Sequence, residues 1–172
     1  MYLKFNGIRD LADARYASAN MAEWIGFTVG ATDSLPVSQI QEIAAWCSGP
    51  KLVLEAAAGT GTEVLQSMAS VLPVDGIELN ANDYHRVTKE WPDAPVFWIV
   101  RDDTGTEAEL SHCNQLAYEP HVICKVVPGV EEPDRILAAD PWAISIDCLL
   151  PGDGNSRDYT EWNDFFAALD MN

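Results

Sequence analysis

Nine polar side chains fall on short β-branched or aromatic runs of the chain: Lys4, Asn6, Thr28, Glu55, Glu78, Asn80, Arg101, Lys125 and Asp147. The carboxylates and lysines among them can move a proton to or from a small molecule, or balance its charge. Asn6 and Asn80 can only donate and accept hydrogen bonds, because an amide does not accept a proton at neutral pH. If the runs are parallel strands curled into a barrel, residues near their carboxyl ends gather round one mouth, where this set forms a ligand pocket. A buried charge must equally find a partner, so Lys4 with Glu78 or Asp147 can instead be an ion pair that fills the barrel. Both readings are open on sequence.

Other chemistries lack their residues. His85, His112 and His121 are scattered without carboxylate spacing, so no metal site is expected. Gly59-x-Gly61 has neither a third glycine nor a P-loop lysine, so no nucleotide site and no cofactor is expected. Cys47, Cys113, Cys124 and Cys148 show no paired spacing, and three of them lie in apolar or helical patterns. They read as reduced core thiols of a cytoplasmic protein.

The elements that must position these residues alternate along the whole chain, short apolar runs with amphipathic, alanine-rich segments, as in parallel strands joined by crossover helices. The first run stops at Gly7, and Asp10 stands where an N-cap belongs, ahead of a helix over about Leu11 to Ala19. Strand-like runs follow at Trp24 to Val29, Lys51 to Ala57, Val74 to Asn80, Pro95 to Arg101, His121 to Val127 and Pro141 to Asp147. Helices are expected from Val37 or Ser38 to Cys47, and from Thr60 or Thr62 with an apolar stripe of Val64, Leu65, Met68 and Val71. Further helices are expected from Asp83 to Trp91, from Glu107 to Leu116, up to Ala139, and from about Arg157 to Leu169. With 172 residues and 48% apolar composition, one domain spanning 1–172 can bury its own core.

Several of these stretches resemble phosphoribosylanthranilate isomerase, a tryptophan-pathway enzyme family. Lys4-Phe5-Asn6-Gly7-Ile8 is similar to the family's first strand, Lys-Ile-Cys-Gly-Ile, and Ile25-Gly26-Phe27 to its Ile-Gly-Phe signature. Val74-Asp75-Gly76-Ile77-Glu78-Leu79-Asn80 resembles Asp-Ala-Val-Gln-Leu-His-Gly. The run from His121 through Glu132 resembles the seventh strand and its helix, and the run from Pro141 through Asp147 the eighth strand. The resemblance implies a TIM-like parallel (βα) barrel. Only seven strand candidates are present where the family has eight. The missing unit is the sixth, or the fifth if Asp102-Asp103-Thr104-Gly105-Thr106 echoes a Gly-Gly-Thr-Gly loop. An open edge invites aggregation, so closure of seven strands between the runs at 96–100 and 122–127, with Phe97–Ile99 bonded to Ile123–Lys125, is expected over dimerisation across that edge.

Carried over residue by residue, the resemblance implies a lost activity. The cysteine that acts as general base is Asn6, and the arginine that clamps the substrate carboxylate is Leu35. The unit bearing the aspartate general acid is missing. At the phosphate loops Val126-Val127 replace a Gly-Gly pair, and Asp147-Cys148-Leu149 replace Ser-Ser-Gly, placing a carboxylate where an anion should bind.

With 27 acidic against 10 basic residues, and a net charge of −17, the surface repels nucleic acid and anionic lipid. No charged-then-apolar leader and no run of membrane-spanning length is present, so neither a nucleic-acid nor a membrane partner is expected. The partner class is a small-molecule ligand, and the protein a monomer or homodimer. Three functions are compatible with the residues: a barrel that binds a small molecule or a protein without isomerase activity, an isomerase working with substituted groups, or a different reaction at the mouth.

Overall fold

A computed structural model gives the architecture; residues 1–102, 121–126, 134, 136, 138, 142–148 and 159–169 are described. Among them are seven strands, β1 (Tyr2–Asn6), β2 (Trp24–Val29), β3 (Lys51–Ala56), β4 (Val74–Asn80), β5 (Phe97–Asp102), β6 (His121–Val126) and β7 (Ala143–Asp147). The helices are α1 (Leu11–Ala19), α2 (Val37–Trp46), α3 (Thr62–Val71), α4 (Ala81–Glu90) and α5 (Thr160–Ala168). All strand pairs are parallel and consecutive, and β7 returns to β1, so the sheet is a closed barrel.

Closure runs through the pair expected from sequence. β5 lies against β6, with Arg101 opposite Ile123 and Asp102 opposite Cys124. The ladder sits further along β5 than a pairing of Phe97–Ile99 with Ile123–Lys125 implies. Ile99 pairs with His121 and Phe97 lies before the ladder begins, and both side chains pack near the bottom of the barrel among Trp24, Val53 and Ile123. The expected helix over 107–116, the Asp102–Thr106 loop beyond Asp102, Cys113 and His112 lie outside the described residues, as do the side chains of Arg101, His121 and Cys124.

Strand alternation sorts the side chains into two layers. Phe5, Ile25, Phe27, Leu52, Leu54, Ile77, Leu79, Ile144 and Ile146 point outward and pack with the helices in one large core. Phe5 meets Tyr16 of α1 and Trp162 and Phe166 of α5, at ring separations of 5.8, 5.7 and 5.9 Å, which ties the closing helix to the first strand. The opposite face looks into the barrel. Its lower end is plugged by Tyr2, Trp24, Phe97 and Trp142. Its upper end is polar.

Caps place the helices. Asp10 accepts from the Asp13 N–H at 2.9 Å, as expected for the start of α1. Asn80 is both the last residue of β4 and the N-cap of α4, accepting from the Asp83 N–H at 2.9 Å. α2 and α3 begin at Val37 and Thr62, both among the expected starts, but the cap positions are Pro36 and Gly61, without a side-chain cap from a threonine or serine. Thr60 turns its hydroxyl to the Ala57 carbonyl, and Thr62 pairs with Glu90. The stripe on α3 is narrower than its spacing suggests: Leu65 is buried and Met68 packs on the core, but Val64 and Val71 are exposed. The loop holding Gly59 receives an anion from within the protein, since the Asp83 carboxylate accepts from the Gly59 N–H at 2.8 Å and from Arg86 at 2.8 Å. The Gly59 N–H, followed by Arg86, holds the Asp83 carboxyl below its ordinary value. Among the described residues, no helix is long and apolar enough to cross a membrane.

Candidate functional site

The first βα turn opens the site. Gly7 takes a left-handed conformation, φ 63°, which suits a residue without a Cβ, and its N–H donates to Glu55 Oε2 at 2.9 Å. Below it, the Lys4 ammonium donates to Asn6 Oδ1 and, at 2.5 Å, to Glu55 Oε1, and lies 2.8 Å from Glu78 Oε2. Lys4 and Glu78 are fully buried, Asn6 and Glu55 nearly so. Thr28 adds a longer hydrogen bond to Glu55, at 3.4 Å. Gly26 makes the arrangement possible: a Cβ there would stand 1.7 Å from Glu55 Oε1 and 2.7 Å from the Lys4 ammonium.

Burial is the largest single influence on Lys4 and opposes its charge. Glu55 and then Glu78 outweigh it, and the ammonium is held above its ordinary value. For Glu55 burial also leads, pushing the carboxyl up; Lys4 pulls it back and Glu78 adds to the rise. The net displacement is upward from the ordinary value of 4.5. A raised carboxyl contributes stability that is full below its unfolded value and is lost as pH rises through its folded value. A carbon-detected NMR titration is therefore expected to place the Glu55 midpoint above 4.5; a midpoint at or below that value contradicts the assignment.

The remaining candidates separate. Asp147 pairs with Lys125 at 3.0 Å, partly exposed, and not with Lys4, because on the adjacent β1 it lies opposite Asn6, two residues beyond Lys4. Asn80 leaves the set altogether: its side chain caps α4 and donates to Asp83 Oδ2 at 2.7 Å. Arg101 is placed by its backbone on β5, opposite Asn80. On the rim, Arg9 pairs with Asp33 at 2.8 Å, both exposed. A cleft beside them, lined by Gly7, Thr28 and Leu35 among others, has a volume of about 10 Å³, room for a single water. Leu35, at the position the resemblance gives to a carboxylate-binding arginine, contributes an apolar wall to it.

Cys148 follows β7, and its N–H bonds to the Asn6 carbonyl at 2.9 Å. Burial, then the charges of Glu55 and Asp147, push its thiol well up, so it is an inert core group. Cys47 is a half-buried free thiol.

Glu55 as the principal partner of Lys4, and Gly26 as the residue that makes room for it, escape the sequence reading. A glycine inside an otherwise apolar strand is the signal that could have found them, since it marks close approach by another group.

Lys4 donates to Asn6 and Glu55 and has Glu78 Oε2 at 2.8 Å as its second ion-pair partner, and the mouth charges Lys125 and Asp147 are matched. Asn6, at the centre of the upper layer, has its carbonyl oxygen occupied by Lys4 and no group able to take a proton.

No family model and no curated protein sequence matches the chain. Solved structures do. Phosphoribosylanthranilate isomerase from Thermus thermophilus is similar at TM-score 0.70 and 19% identity, covering 99% of this chain and 98% of its own. The enzyme from Pyrococcus furiosus is similar at TM-score 0.68 and 14% identity, with the same coverage. A homocysteine methyltransferase from Escherichia coli is similar at TM-score 0.53 and 9% identity, covering 99% and 95%. At these identities the likeness is one of architecture, and the chain has the TIM-like (βα) fold seen in phosphoribosylanthranilate isomerases.

Proposed function

We propose that the protein is a phosphoribosylanthranilate-isomerase-like barrel without isomerase activity, a cytoplasmic protein that binds a small molecule or another protein. The observation that carries this reading is Asn6, at the position of the family's general base and hydrogen-bonded to Lys4. An Amadori rearrangement needs a base to take a proton from carbon, an acid to open the ring, and an anchor for phosphate. The amide supplies no base, Leu35 supplies no guanidinium, and the Lys125–Asp147 pair puts a carboxylate beside the phosphate position. Fold likeness does not argue against loss, because this architecture hosts unrelated chemistries, a methyltransferase among them.

Lys125, Asp147, Thr28 and the Arg9–Asp33 rim are the groups that would meet a ligand at the mouth. The test is complementation of a tryptophan auxotroph lacking the isomerase. Neither the natural protein nor Asn6→Cys is expected to support growth, since restoring the thiol leaves the clamp and anchor absent. Growth with Asn6→Cys alone would show that the other replacements are compensated.

A further inference from the structure

We propose that the upper interior of this barrel is a receptor for a primary alkylammonium ion, and that Lys4 is its tethered native occupant. A primary ammonium carries three N–H donors and no acceptor. The cage offers three oxygens from three strands, Asn6 Oδ1 of β1, Glu55 Oε1 of β3 and Glu78 Oε2 of β4, all converging on the Lys4 nitrogen. Space for the head group comes from the missing side chain at Gly26. A second feature points to the same place. Ser145 stands beside Lys4 in the ladder on the inward-facing side of β7, is fully buried, and its hydroxyl has no hydrogen-bond partner among the described residues. A buried hydroxyl beside the cage is a further acceptor for a cation that sits slightly differently from the lysine head group.

The chemistry favours ammonium over a metal ion. Two carboxylates and an amide fall short of the six to eight oxygens a calcium ion takes, and among the described residues no three His, Cys, Asp or Glu side chains converge as a metal-holding group. Lys4 itself is fully buried and holds the cage. In the natural protein the receptor is therefore closed to outside ligands, and only the mouth groups above it remain to meet one.

Lys4→Ala removes Cγ, Cδ, Cε and Nζ, the heavy atoms of n-propylammonium. Thermal unfolding of the full-length variant is measured with n-propylammonium chloride, with propan-1-ol as the uncharged isostere, and with calcium and sodium chlorides at matched ionic strength. The melting temperature is expected to rise by about 3–6 °C when propylammonium reaches roughly ten times its Kd. Propan-1-ol should give no comparable rise, the natural protein should not respond, and Lys4→Ala combined with Glu78→Gln should lose most of the shift. If Lys4→Ala does not fold alone, the readout is recovery of native circular dichroism on dilution from urea, with propylammonium and not with propan-1-ol. An equal response to the alcohol, a larger response to calcium, or no response and no recovery with propylammonium overturns the proposal.

Discussion

Lys4→Met is expected to lower the free energy of unfolding by about 3–5 kcal/mol, the usual cost of removing one member of a buried ion pair. Methionine keeps most of the stem but brings no charge, leaving the Glu55 and Glu78 carboxylates in a space closed to water. Part of the loss should be recovered at low pH, where the carboxyls become neutral. Urea unfolding followed by circular dichroism reads the effect as a lower midpoint at an unchanged slope. A change below about 1 kcal/mol would mean the pair is solvated like a surface bridge.

Gly26→Ala should be nearly as damaging, although it deletes nothing. Its new methyl group would coincide with Glu55 Oε1, at 1.7 Å, and crowd the Lys4 ammonium at 2.7 Å. Glu55 has to swing away, and that breaks its bonds to Lys4, to the Gly7 N–H and to Thr28 together. A cost of about 2–4 kcal/mol is expected, between that of overpacking a core and that of breaking a buried pair. The same unfolding measurement, repeated for Gly26→Ala combined with Glu55→Ala, should show much less than the sum of the two single losses, because both act through one carboxylate. Simple additivity would remove Gly26 from the account of the site.

The barrel was largely legible in the sequence, because each strand announces itself locally. Trp24–Val29 stops at Gly30 and Val74–Asn80 starts after Pro73, and Asp10 carries the capping chemistry that starts α1. The starts of α2 at Val37 and α3 at Thr62 were legible, but their cap residues Pro36 and Gly61 were not, since neither brings a capping side chain. The site was legible as a set of residues and only in part as a network: the buried Lys4–Glu78 pair was anticipated, the Lys4–Glu55 bond was not. Lys4, Asn6, Glu55 and Glu78 were all recognisable as inward polar groups, but which carboxylate reaches Lys4 depends on strand stagger, which no local pattern reports. Stagger gives Glu55 and Glu78 to Lys4, and Asp147 to Lys125. Asn80 was misplaced for a related reason: the strand runs straight into α4, and capping claims its side chain before the mouth can.

In the closed seven-stranded barrel the Lys4 ammonium meets the Glu55 and Glu78 carboxylates. Among the described residues the mouth holds the Lys125–Asp147 pair, the Asn6 amide and a cleft with room for one water. The direct test is turnover of phosphoribosylanthranilate by the purified protein, followed by loss of the substrate's fluorescence in a coupled assay. The account predicts a rate indistinguishable from that of the buffer control, for the natural protein and for Asp147→Ala alike. Enzyme-dependent turnover that is abolished by Asp147→Ala would contradict it and make this barrel an isomerase with substituted groups.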